Sequence, residues 1–157
     1  MAELTGRTQI FSGSTANVDT VLGQPLGTRA QDVDGNEYIY LQGVASTATG
    51  SWVSFDEAYL TILTVANAKG RIGIAMAAIV ASRYGWYQIY GKNTIALGSA
   101  AIADNAKLWV TSTAGKVDDT DVAVDLIDGA ICRSTLAAAG AFTVELNYPI
   151  CLNEVKN

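Results

Sequence analysis

Short runs of β-branched and aromatic residues recur along the chain at intervals of roughly 8–12 residues, separated by glycine-bearing turns. That rhythm constrains the fold more than any other feature, because runs so short cannot bury themselves and must assemble into one sheet system. Residues 27–33 lead into Asp34-Gly35, a tight-hairpin signal. Residues 37–42 follow, with Tyr38 and Tyr40 on one face and Ile39 and Leu41 on the other, which predicts a strand covered on both sides. Further strands are expected at 50–55, 72–81, 84–92, 107–113 and 130–133. At the end Phe142, Val144 and Leu146 alternate strictly with Thr143, Glu145 and Asn147, the pattern of a half-buried strand.

Two stretches are ambiguous. Ser54 and Glu57 fit a helical capping box, and Phe55, Tyr59, Ile62 and Ala66 would share a helical face. Thr61, Ile62, Thr64 and Val65 are β-branched, however, so a turn at Asp56-Glu57 followed by a strand is the expectation. Residues 134–140 read as loop or a single helical turn. In 72–81, Gly73, Ala75, Ala77 and Ala81 make a face of small side chains, with only Ile79 large, suited to close approach by another sheet or backbone. The expected fold is therefore all-β: a single-domain β-sandwich or small barrel spanning 27–157. Residues 1–26 are rich in Ser, Thr, Gly, Asn and Gln and form an extended N-terminal arm. Its apolar residues Ile10, Phe11, Val21 and Leu22 are candidates for contact with a neighbouring subunit, against the alternative of a loosely ordered terminus.

Chemistry is sparse. The 157 residues contain no histidine, which excludes Ser-His-Asp and Cys-His nucleophilic catalysis and most zinc sites. Asp32, Asp34, Glu37 and Asp56 could pair as carboxylates, but each adjoins a turn, where acidic residues are expected anyway. Asp118, Asp119, Asp121, Asp125 and Asp128 crowd one stretch without EF-hand spacing, so a solvated acidic loop is favoured over calcium. Cys132 and Cys151 read as buried hydrophobes or as a cross-strand bridge. Trp52, Trp86 and Trp109 read as core or interface residues, with a sugar-stacking platform as the alternative. The net charge is −5 with Lys and Arg scattered singly, which argues against nucleic-acid binding. No run of about 18 apolar residues predicts a membrane span. Met1-Ala2-Glu3-Leu4 has no basic region followed by an apolar core, so no secretory signal is expected. No catalytic, cofactor or metal residue is assigned.

The landmarks Gly70-Arg71-Ile72-Gly73-Ile74-Ala75-Met76-Ala77, Tyr84-Gly85-Trp86-Tyr87-Gln88-Ile89-Tyr90-Gly91, Asp104-Asn105-Ala106-Lys107-Leu108-Trp109, Asp128-Gly129-Ala130-Ile131 and Phe142-Thr143-Val144-Glu145-Leu146 come in an order that resembles the capsid cement, or head decoration, proteins of tailed bacteriophages. Gly50-Ser51-Trp52-Val53-Ser54-Phe55-Asp56 is similar to phage head proteins as well. The resemblance covers about two thirds of the chain. It implies a non-enzymatic virion protein, made in the bacterial host cytoplasm, that binds the outer face of an assembled capsid and stabilises it. The implied partners are the major capsid protein and further copies of itself, as a trimer or dimer. A tail, baseplate or fibre-tip component is the competing reading, and a carbohydrate-binding module a third.

Overall fold

The computed structural model describes residues 13–122 and 124–152. Among these residues the chain is all-β, with no helix. Its strands are β1 (Val18–Asp19), β2 (Arg29–Gln31), β3 (Glu37–Gln42), β4 (Trp52–Phe55), β5 (Thr61–Leu63), β6 (Gly70–Ala75), β7 (Tyr84–Gly98), β8 (Lys107–Val110), β9 (Val117–Asp118), β10 (Leu126–Cys132) and β11 (Gly140–Cys151). They belong to one hydrogen-bonded ladder.

That ladder closes on itself twice. The first ring runs β3–β7–β6–β4–β5 and closes where Leu60 bridges Gln42 at the end of β3. It encloses Ile39, Leu41, Val53, Phe55, Ala75, Tyr87 and Ile89. The second runs β7–β11–β10–β8–β9 and closes at the parallel pair Gly98–Val117. Ala96, Leu108, Val110, Ile127, Val144 and Leu146 fill it, joined by Trp52, Ile72 and Ile74 from the outer faces of β4 and β6. Closure covers strand edges that would otherwise template aggregation. Between sandwich and barrel, the pairing gives two small barrels fused along β7.

β7 serves both rings because it is bent in the middle. Gly91 sits at φ +91°, and a Cβ there would lie 2.1 Å from Asn36 Oδ1, the oxygen that accepts the Lys92 N–H. The irregular backbone is satisfied internally. Buried Gln88 donates to the carbonyls of Tyr90 and Lys92, buried Asn93 donates to Gln88, and Ile95 N–H donates to Asn93. A bend left without such partners would cost about 1–3 kcal/mol per buried group.

The Asp34-Gly35 hairpin forms between β2 and β3, with Gly35 at φ +84°. Its organiser is Asp32, whose carboxylate accepts from the N–H groups of Asp34 and Asn36, the Asn36 amide and the Tyr38 hydroxyl at 2.8–2.9 Å. Burial raises this carboxyl, but the hydrogen bonds from Asn36 and Tyr38 outweigh it and hold it below its ordinary value of 3.8. A lowered folded-state value stabilises the fold above the unfolded value, and that contribution fades as pH falls through the folded one. The urea midpoint of Asp32→Ala should therefore lie furthest below wild type near neutrality, with the gap narrowing below about pH 4. An undiminished gap at pH 2.5 would refute the assignment.

β3 is covered on both faces, as its pattern predicts. At 54–66 the strand reading holds: Asp56 accepts from the Ala58 and Leu60 N–H groups, closing a turn instead of a helix cap, and β5 follows. The expected strand over 72–81 ends at Ala75, after which the buried positions are Ala77 and Ile79 while Ala78 and Val80 face solvent. The close approach expected of the small-residue face is found at Gly73, where a Cβ would lie 3.2 Å from Tyr87 Cβ, whereas at Ile79 the room is given by Gly43, whose Cβ would meet Ile79 O at 1.9 Å. The strand expected over 107–113 stops at Val110, and residues 134–139 are loop.

Candidate functional site

The most distinctive surface lies where β11 buckles against β10. Between the pairs Asp128–Ile150 and Ala130–Leu146, one residue of β10, Gly129, faces three of β11, residues 147–149. Gly129 makes room: at φ +81°, a Cβ there would lie 2.6 Å from Asn147 O. The buckle reverses the side-chain order. Phe142, Val144 and Leu146 point into the core, and strict alternation would send Tyr148 after them. Tyr148 instead stands 46% exposed in the left-handed region, at φ 48°, directly before Pro149. A bulky residue pays about 1–2 kcal/mol to sit there, and a following proline disfavours helical backbone further.

The strain displays an aromatic pair. The Tyr148 ring lies 5.2 Å from that of Tyr90, which is 38% exposed, at a tilt of 31°. The Arg29 guanidinium carbon sits 6.0 Å from the centre of the Tyr148 ring. Burial and a hydrogen bond to Glu37 push the Tyr148 hydroxyl above its ordinary value of 10.0, so it remains a donor at neutral pH.

Beside the pair runs a depression of about 470 Å³ lined by Tyr90, Lys92, Arg133, Glu145 and Asn147. A second, of about 320 Å³, shares Arg133, Glu145 and Asn147 and extends to Lys107 and Ile131. The cross-strand register explains the set: Lys107 is opposite Ile131, Ile131 opposite Glu145, Glu145 opposite Lys92, and Asn147 opposite Tyr90. Arg133 bonds Glu145 at 2.7 Å and Asn105 Oδ1 at 2.6 Å. An exposed ion pair of this kind contributes about 0–1 kcal/mol to stability. Together the two bonds fix the plane of the guanidinium at the rim of both depressions. Exposed tyrosine and arginine on a rigid sheet are the groups that dominate protein–protein contacts.

No known protein family, curated protein or solved structure matches this chain.

Of the candidate contact residues, Ile10 and Phe11 lie outside the described residues, while Val21 and Leu22 are exposed at 76% and 49%. The tryptophans form no shared platform. Trp52 and Trp86 are buried in different clusters, and Trp109 is half-buried on β8. The acidic stretch is dispersed: Asp118 accepts from Thr120 N–H, Asp119 from Ala103 N–H, and buried Asp125 from Asn67 N–H. Among the described residues no three acidic or thiol groups cluster as metal ligands. Asp32 and Asp56 hold turns, and none of Asp32, Asp34, Glu37 and Asp56 lines either depression. Cys132 and Cys151 are buried thiols opposite Val144 and Ile127, so the register gives no cross-strand cysteine pair. Sequence reasoning missed Tyr148 because its parity matches the core; its one signal was an aromatic immediately before proline.

Proposed function

We propose that this chain is a structural virion protein that docks on the outer face of an assembled phage capsid and stabilises the shell. The observation carrying the reading is the strained display of Tyr148 beside Tyr90 above a cation-bearing groove. Backbone strain held at an exposed aromatic supports a surface kept for contact. The order of β landmarks along the chain favours a capsid cement protein as the type. A partner that binds the assembled shell and not its separate subunits stabilises the shell by mass action. Many modest contacts of the Tyr90–Tyr148 kind then add through multivalency. No step of this job needs a catalytic group, and the partners are the major capsid protein and further copies of the chain.

Copy number tests the reading. Quantitative mass spectrometry of purified parent virions should give a ratio to the major capsid protein near one or a simple fraction such as one third. A few copies per particle would move the protein to the tail, and absence from virions would discard the reading.

Tyr148→Gly separates display from folding. Glycine accepts the left-handed backbone, so its stability should stay within about 1 kcal/mol of wild type. Capsid occupancy should fall by about tenfold or more, the loss expected of a central aromatic contact. Unchanged occupancy would remove this face from the interface.

A further inference from the structure

We infer that the Tyr148 face takes a carboxylate side chain of a protein partner, held between Arg29 and Arg71. The inference rests on the docking role proposed for that face and names the chemistry it recognises. A depression of about 40 Å³ beside Tyr148 is lined by both arginines, with Phe55, Ile89 and Pro149 as apolar walls. Rings steady both guanidinium groups. The Arg71 guanidinium carbon lies 4.6 Å from the centre of Phe55 and 5.7 Å from that of Tyr59, as that of Arg29 lies 6.0 Å from Tyr148. Ring contact leaves the N–H edge of a guanidinium open, and that edge is a planar fork matched to the two oxygens of a carboxylate. Here the edge is underused. Arg71 Nη2 donates to the Asp56 carbonyl at 3.2 Å, and among the described residues neither Arg29 nor Arg71 reaches a carboxylate at ion-pair distance.

The surroundings favour an acidic partner. The chain carries a net charge of −5, yet five of its ten Lys and Arg border the three depressions beside Tyr90 and Tyr148: Arg29 and Arg71 in this one, Lys92, Lys107 and Arg133 in the other two. Of its 15 acidic residues two do so, Asp128 and Glu145. A local excess of cations on an acidic molecule steers a negative group to that patch. The occupant is a protein side chain rather than a polyanion. The net charge repels DNA, RNA or an anionic membrane as a whole. Asp128, Glu145 and the Glu37 that bonds the Tyr148 hydroxyl also stand within the face, where a run of phosphates would meet them. Exposed Tyr90 and Tyr148 supply the aromatic contact that suits a protein surface. Apolar walls strengthen the grip, because a charge pair shielded from water is screened less.

Purified protein tests the chemistry directly. The probe is a capped peptide of alternating Glu and Ala, titrated by NMR beside its Gln twin and inorganic phosphate. The Glu peptide should shift the backbone amides of β2, β6 and Tyr148 with a Kd in the millimolar range, and the Gln twin should not. Arg29 is exposed, so Arg29→Gln should fold as wild type and raise that Kd about tenfold or more, as befits a lost charge-assisted bond. Arg83→Gln, seven residues from Tyr90 at the other end of that half of β7, should bind as wild type does. Equal shifts from both peptides, an equal loss in Arg83→Gln, or shifts from phosphate alone would overturn the inference. Should the Glu peptide bind while capsids do not, the capsid reading falls and the carboxylate site stands.

Discussion

Replacing Trp52 with alanine is expected to lower stability by about 3–5 kcal/mol, the range for deleting a large buried aromatic. Trp52 is fully buried and packs with Ile72 and Ile74 in the cluster that fills the second ring. Its backbone also ties three segments together, because its N–H donates to Gly115 O and its carbonyl accepts from Thr64 N–H. The cavity would therefore open where β4 meets the loop after β8, at a place with little freedom to collapse. Trp52→Phe should cost far less than Trp52→Ala. The buried Trp52 Nε1 has no acceptor, so phenylalanine removes an unsatisfied donor worth about 1–3 kcal/mol while leaving most of the volume. Urea unfolding of the two variants checks the argument, and equal losses would show that cavity volume does not govern this site.

Gly50→Ala is the second large effect, at roughly 2–5 kcal/mol, adding overpacking of about 1–3 to left-handed strain of about 1–2. Gly50 sits at φ +84°, and a Cβ there would lie 1.9 Å from Ile95 O. The neighbours cannot give way cheaply. Gly50 N–H donates to Ala75 O and Gly50 O accepts from Leu97 N–H, so the residue is stitched between the end of β6 and the second half of β7. Gly35→Ala is the matched control. It has the same φ of +84° but nothing nearer than Gln31 Nε2 at 4.0 Å. It should lose only the strain, about 1–2 kcal/mol. If thermal denaturation finds the two variants equally destabilised, the contact with Ile95 is irrelevant and φ alone decides.

These positions also mark how far the amino-acid order could be read. The hairpin at Asp34-Gly35, the two-sided strand around Tyr38 and Ile39, and the alternation from Phe142 to Leu146 were legible because each is a local matter of turn chemistry and side-chain period. Glu57 belonged to no helix because Asp56 closed its own turn, and the β-branched run after it pointed to a strand. Residues 76–81 were not legible as an irregular stretch, since their apolar alternation continues while the ladder stops. The far half of β7 was hidden for the opposite reason. Asn93 and Thr94 look like a break, yet Asn93 is buried and serves the bend through Gln88.

The all-β class followed from the sequence by itself, as did the closely spaced strands, several turns and the lack of histidine chemistry. All of these depend on residues near one another in the chain. Tertiary structure alone decided that the ladder closes into two rings, and that β7 is shared between them. It also decided that three tryptophans scatter while two tyrosines meet. Tyr148 reaches the surface because Gly129, nineteen positions earlier, yields space to Asn147 O. A pairing between distant strands reversed a period that the local residues could only continue.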